Sequence, residues 1–286
     1  MVVHGVGQQV KGPHVLHAEL FAALRDGVMA AGADIAAGQV RFAFYGGLFR
    51  PKGEVLGDEV FFVADDVQDG FERELLAAWW ERAAAVDARV VPPDAEVLFR
   101  SPRWVQRALF GMSNSRFFAA AGESVFSLLI GDLKQVRGYL TDARIRREVQ
   151  DVVAGAVAAD TRVLVGHSLG SVVAYEALCA HPEWPVRTLV TLGSPLGLRL
   201  IFDRLRPPPA PGPDPGTRRG VWPGSVTGWT NLADAGDVVA VVEDLRPLFG
   251  PGVRQVRLHN GSSAHDLRPY LTEPLTGRAI VAGMGG

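Results

Sequence analysis

The chain has 286 residues, 48 % of them hydrophobic and 21 % charged, with a formal net charge of −2. That length and apolar content suit one large α/β domain with a sizeable core, and the near-neutral balance, without a basic stripe, argues against a nucleic-acid partner. Cys179 is the single cysteine, so no internal disulfide forms, which fits a reducing compartment.

The N-terminal run MVVHGVGQQV has no basic stretch followed by an apolar one, so no secretory signal is read in it. No uncharged apolar run reaches the length of a membrane helix. A cytoplasmic protein is expected, with peripheral membrane contact left open. Met1–Val3 reads as a strand stub running into His4-Gly5-Val6-Gly7. Residues 14–31 place apolar side chains at 16, 20, 21, 24 and 28, a helical spacing. Residues 39–45 (QVRFAFY) alternate and predict a strand stopped by Gly46-Gly47. The overlapping FYGGLFRP, 44–51, either lines the mouth of a pocket or simply turns the chain. Residues 71–86 predict a second helix, and Pro92-Pro93 breaks the chain after it.

Residues 103–140 mix Trp104, Leu109, Phe110, Phe117, Phe118 and Phe126 with glycine and serine. They read as short helices, which belong either to the core or to a helical cap or lid over a pocket. Residues 142–158 predict a better helix, with Thr141 or Asp142 as N-cap. Next come a strand at 162–165, a helix at 169–180 ended by His181-Pro182, and a strand at 186–192 stopped by Gly193-Ser194-Pro195. This alternation predicts a mostly parallel sheet flanked by helices. Residues 207–216 hold six prolines. The stretch 207–224 reads as a surface insertion in a single domain, 1–286, because strand-like runs resume at 226–232 and 253–258 to complete the sheet.

Between the strand at 162–165 and the helix at 169–180 stands Gly166-His167-Ser168-Leu169-Gly170. A Gly-x-Ser-x-Gly run at such a corner signals a nucleophile elbow, with the serine on a strained turn and its oxygen clear of the sheet near a helix N-terminus. The plainer reading, a glycine-rich corner, is weakened by the strand before it and the helix after it. A serine nucleophile needs a base and the base an orienting acid, in the chain order serine, acid, histidine. Of the three histidines after Ser168, His181 comes too early and reads as a helix cap. His265, on a loop past the last strand, is preferred as base, with His259 at the strand end as the alternate. The plainer reading of His265 is an exposed loop histidine paired with Asp266. In LADAGDVVA, Asp237 is preferred as the acid because an apolar run anchors it, and Asp234 is the alternate. A tetrahedral oxyanion needs backbone N–H donors: Leu169 after the serine, and Val6, or alternatively Gly7, in the HGVG loop. His4 reads as structural. No H-E-x-x-H, paired-cysteine or G-x-G-x-x-G pattern occurs, so neither a metal nor a cofactor is expected.

VVHGVGQQ, GHSLGSVVAYEAL, TLGSPLG, WTNLADAGDVVA and AHDLRPYL occur in that order along the chain. Together they resemble the α/β-hydrolase superfamily, especially its lipase-like and GPI-inositol-deacylase-like serine esterases. The resemblance implies the α/β-hydrolase fold, with Ser168, Asp237 and His265 as catalytic triad and Val6 and Leu169 as oxyanion donors. Asp237 sits in a D-x-V-A setting similar to the acid position of lipase-like members. Members commonly carry strands before the one leading into the HG loop. This chain starts almost at that strand, so either the sheet is shortened at its N-terminal edge or the sequence starts partway along the protein. The expected activity is hydrolysis of a small-molecule or lipid-like carboxylic ester with an apolar acyl group, through an acyl-enzyme. A thioesterase, acyltransferase or amidase would use the same residues, and a non-catalytic hydrolase-fold binding module is the reading from another class.

Overall fold

The computed structural model describes residues 1–50, 61–93, 102–115 and 125–285. In chain order the strands are β1 (Val2–Val3), β2 (Phe42–Ala43), β3 (Val163–His167), β4 (Thr188–Leu192), β5 (Ala210–Pro211), β6 (Arg218–Arg219), β7 (Gly228–Asp234) and β8 (Val253–Leu258). The helices are α1 (Pro13–Ala30), α2 (Phe71–Val86), α3 (Pro102–Ser113), α4 (Val125–Thr141), α5 (Ala143–Ala156), α6 (Leu169–Ala180), α7 (Arg199–Phe202), α8 (Arg246–Phe249), α9 (Leu267–Thr272) and α10 (Pro274–Met284). Six strands make one sheet in the order β2-β1-β3-β4-β7-β8, and every neighbouring pair is parallel. With helices on its faces, this is an α/β fold. No helix among the described residues is long and apolar enough to cross a membrane.

The two-residue period of a strand divides its side chains between two cores. Val3, Leu164, Leu189, Trp229 and Val253 join one apolar cluster, with side chains of α2 to α6. Val2, Val165, Val190, Leu232 and Leu258 join the other, with α1, α9 and α10. Because both faces are covered, β3 and β4 read as nearly continuous apolar runs rather than alternating ones.

Several expectations shift in detail. The strand expected at 39–45 shrinks to β2, because Phe44 and Tyr45 turn away from the sheet toward His4 and contact its ring. β2 is the edge strand on that side of the sheet, with β1 between β2 and β3. Among the described residues of 103–140 there are two helices, α3 and the 17-residue α4. Phe117 and Phe118 lie outside the described residues, as does Pro51 at the end of FYGGLFRP. Asp142 caps α5, accepting from the N–H groups of Arg144 and Ile145. The proline-rich stretch forms the small antiparallel hairpin β5-β6, after which β7 rejoins the main sheet beside β4.

The parallel register gathers the strand ends. Val3 lies beside Gly166, His167 beside Leu192, and Asp234 beside Leu258. The loops that leave β1, β3, β4, β7 and β8 therefore emerge at one rim, the carboxyl ends of the strands, where open α/β sheets bind ligands.

Candidate active site

Ser168 follows β3 directly and is the only non-glycine residue with positive φ among the described residues (φ 51°, ψ −130°). A serine there carries backbone strain that its surroundings must hold in place. Its N–H donates to the Leu192 carbonyl at 3.0 Å, and its own carbonyl accepts from the Ser171 N–H at 2.9 Å. The Ser171 hydroxyl donates to that same carbonyl at 2.6 Å and lies 2.7 Å from the Ser194 hydroxyl. The flanking glycines are needed for close approach. A Cβ on Gly166 would lie 2.6 Å from the Ser171 Cα, and one on Gly170 would run into the Val3 and His4 carbonyls.

The Ser168 hydroxyl donates to His265 Nε2 at 3.0 Å, and His265 Nδ1–H donates to Asp237 Oδ2 at 2.8 Å. His265 stands on the turn between β8 and α9, and Asp237 on the loop after β7. Asp237 is fully buried and heavily solvated by protein donors. Its Oδ1 accepts from the Val239 N–H at 2.8 Å and the Ala240 N–H at 3.2 Å, while the Tyr270 hydroxyl donates to Oδ2 at 2.9 Å. Burial alone would raise its pKa, but the His265 charge and these hydrogen bonds outweigh burial and lower it. The converse applies to His265. Burial pulls its pKa down, while the Asp237 charge and hydrogen bond win and raise it.

Of the paired alternatives, the structure brings Asp237 and His265 to Ser168 and leaves the others elsewhere. Asp234 uses its side chain to hold the loop, accepting from the N–H groups of Gly236 and Asn260. Its own N–H donates to the Tyr270 hydroxyl at 2.8 Å, so Tyr270 links the two aspartates. His259 is exposed at the end of β8. His181 ends α6, stacked on Trp184. Asp266 does not pair with the His265 ring; it caps α9 and binds Arg268.

The HGVG loop passes directly against Ser168, since a Cβ on Gly5 would lie 2.7 Å from the serine Cβ. The Gly7 N–H is taken by the Gln135 side chain at 3.4 Å, whereas the Val6 N–H has no partner among the described residues. Leu169 is the first residue of α6, where backbone N–H groups lack intrahelical acceptors. Val6 and Leu169 line the same cavity as Ser168. His4 supports this loop from below. Its Nδ1–H donates to the Gly5 carbonyl, and its Nε2 accepts the Tyr45 N–H at 3.1 Å. Thus Tyr45 of FYGGLFRP buttresses His4 and lines neither of the two hollows that meet at Ser168.

Sequence reasoning missed three supports. Gly193 has φ +52°, and a Cβ there would lie 2.7 Å from Asp237 Oδ2 and 3.1 Å from His265 Nδ1, so only glycine leaves room for that pair. His167 donates from Nε2 to the His265 carbonyl at 3.0 Å, which fixes the turn carrying the histidine. Tyr270, the link between the two aspartates, is the third. The segments TLGSPLG, GHSLG and AHDLRPYL contain all three, but their spacing carries no sign of these roles.

A cavity of about 190 Å³ opens at Ser168, walled by Trp79, Leu129, Val136, Ile201, Val238 and Val239. An outer groove of about 490 Å³ reaches the same serine from the side of Lys11, Glu19 and Arg268. Comparison of the chain with protein-family models, with curated proteins and with solved structures finds no match.

Proposed function

We propose that the protein is a serine hydrolase of the α/β-hydrolase fold that cleaves carboxylic esters through an acyl-enzyme. The observation that carries this reading is the unbroken hydrogen-bond chain from Ser168 through His265 to a buried, ionised Asp237, with the serine held on a strained elbow. Ser168 Oγ attacks the ester carbonyl as His265 Nε2 takes its proton. Asp237 fixes the Nδ1–H tautomer and stabilises the imidazolium. The N–H groups of Val6 and Leu169 receive the developing oxyanion. His265 then protonates the departing alcohol, and water activated by the same imidazole releases the acid. The apolar cavity takes the acyl group. At about 190 Å³ it suits a short acyl chain, since drug-sized ligands occupy about 300 Å³ or more.

The test is covalent labelling with a fluorophosphonate probe, read by intact mass. Native protein should gain one probe, Ser168→Ala none, and His265→Ala should react slower by about 10⁴-fold or more. A folded native protein that fails to label, with and without detergent to open a covered site, would overturn the proposal in favour of a non-catalytic binding module.

A further inference from the structure

Four residues line both the inner cavity and the outer groove: Val6, Ser168, His265 and Asp132. The first three have parts in the proposed chemistry. Asp132, on α4, has none. Its carboxylate makes no hydrogen bond or ion pair among the described residues, and its Oδ1 lies 3.6 Å from where a Gly7 Cβ would stand, against the HGVG loop. The other charged side chains of the outer groove are matched. Lys11 binds Glu19, and Arg268 binds Asp266. Asp132 is half-buried where the apolar inner cavity meets the polar outer groove, and a carboxyl there without a partner is costly unless a ligand supplies one. By contrast, the roomier cavity of about 510 Å³ beside α5 and α6 has both its acids already engaged, Asp142 as the α5 N-cap. There Glu176 accepts from the Tyr139 hydroxyl and the Arg206 N–H, and pairs with Arg146.

We infer that Asp132 is a specificity-determining residue, selecting esters that carry an ammonium group close to the scissile carbonyl. The inference rests on the serine-hydrolase reading and names a substrate class for the same site. Burial raises the Asp132 pKa to about 7, against the lowering influence of His265. Near neutral pH this carboxyl therefore stands close to its titration point, and an ammonium ion beside it would favour the charged form.

The experiment compares kcat/KM for matched ester pairs. On the acyl side, β-alanyl and ε-aminocaproyl p-nitrophenyl esters are set against alkyl esters of equal length. On the alcohol side, choline butyrate is set against its uncharged carbon isostere. Native enzyme should favour the cationic member of at least one pair by about tenfold or more, and Asp132→Asn should bring that ratio close to one. Asp132→Leu should reverse it, and melting curves check that both variants fold. A native ratio at or below one in every pair overturns the inference, as does a preference that survives in Asp132→Asn. Fluorophosphonate labelling separates the two levels. If Ser168 labels while the ratios are flat, only the specificity assignment falls. If Ser168 does not label and no ester turns over, the hydrolase reading falls and takes this one with it.

Discussion

At the scale of single residues, the proposed chemistry turns on how firmly His265 keeps a proton. It can act as a base only when neutral, and the Asp237 charge and hydrogen bond raise its pKa above the ordinary imidazole value. The labelling rate should therefore fall on the acid side with a midpoint above that value. Asp237→Asn removes the main cause of the shift. Asp132 and Asp266, which also favour the charged imidazole, remain, and His167 is held neutral by burial. The midpoint should move down in the variant, while the plateau rate drops by about 10⁴-fold because the imidazole loses its fixed tautomer. Labelling rates against pH for both proteins check this. An unmoved midpoint would mean that another group limits the reaction.

At the scale of elements, the strand-helix corner around Ser168 was legible because its parts are contiguous: a buried run, two glycines, a helix. β8 and α2 were legible for the same reason, since local periodicity marks their ends. What stayed hidden depends on register between strands far apart in sequence. Gly193 must be glycine only because β4, β7 and the turn after β8 converge, and Asp132 meets Ser168 only because α4 packs across the HGVG loop. The proline-rich insertion shows the same division. Composition reveals an exposed, extended segment, yet Pro209 and Gly220 at its base are buried, and Arg218 ties it to Asp203 and the Pro209 carbonyl. Cutting out 207–216 would strip that anchored base. Replacing only the exposed tip, 212–217, with a short turn should move the melting temperature by less than about 2 °C and leave labelling unchanged. A drop of several degrees in a thermal melt would show that the tip itself packs against the domain.

At the scale of the whole molecule, the floor of the site and the stability of the fold share two buried histidines. His4 and His167 are 2 % and 7 % exposed, and burial lowers their pKa values to about 4 and about 3. Each has a fixed neutral role. His4 Nε2 accepts the Tyr45 N–H, so a proton there would face another donor, and His167 holds the His265 carbonyl through its single Nε2–H. Because their folded pKa values are depressed, the unfolded chain binds these protons first. Their contribution is complete above the ordinary histidine pKa and is lost as pH falls toward the folded values. At about pH 4.5 that is about 3 kcal/mol for each, a large share of a typical total near 10 kcal/mol. His265 and Asp132 work in the opposite sense, since their raised pKa values add stability as the pH falls and offset part of the loss, whereas the buried N-terminal ammonium, lowered to about 5, adds to it. Urea unfolding at about pH 7.5 and pH 4.5 should therefore show a net loss of a few kcal/mol. His4→Gln, which keeps a donor and an acceptor without a titrating ring, should flatten the profile by about one proton. A profile that His4→Gln leaves unchanged would mean that this ring reaches solvent in the folded state, and the loop it supports would then be looser than the proposed oxyanion site requires.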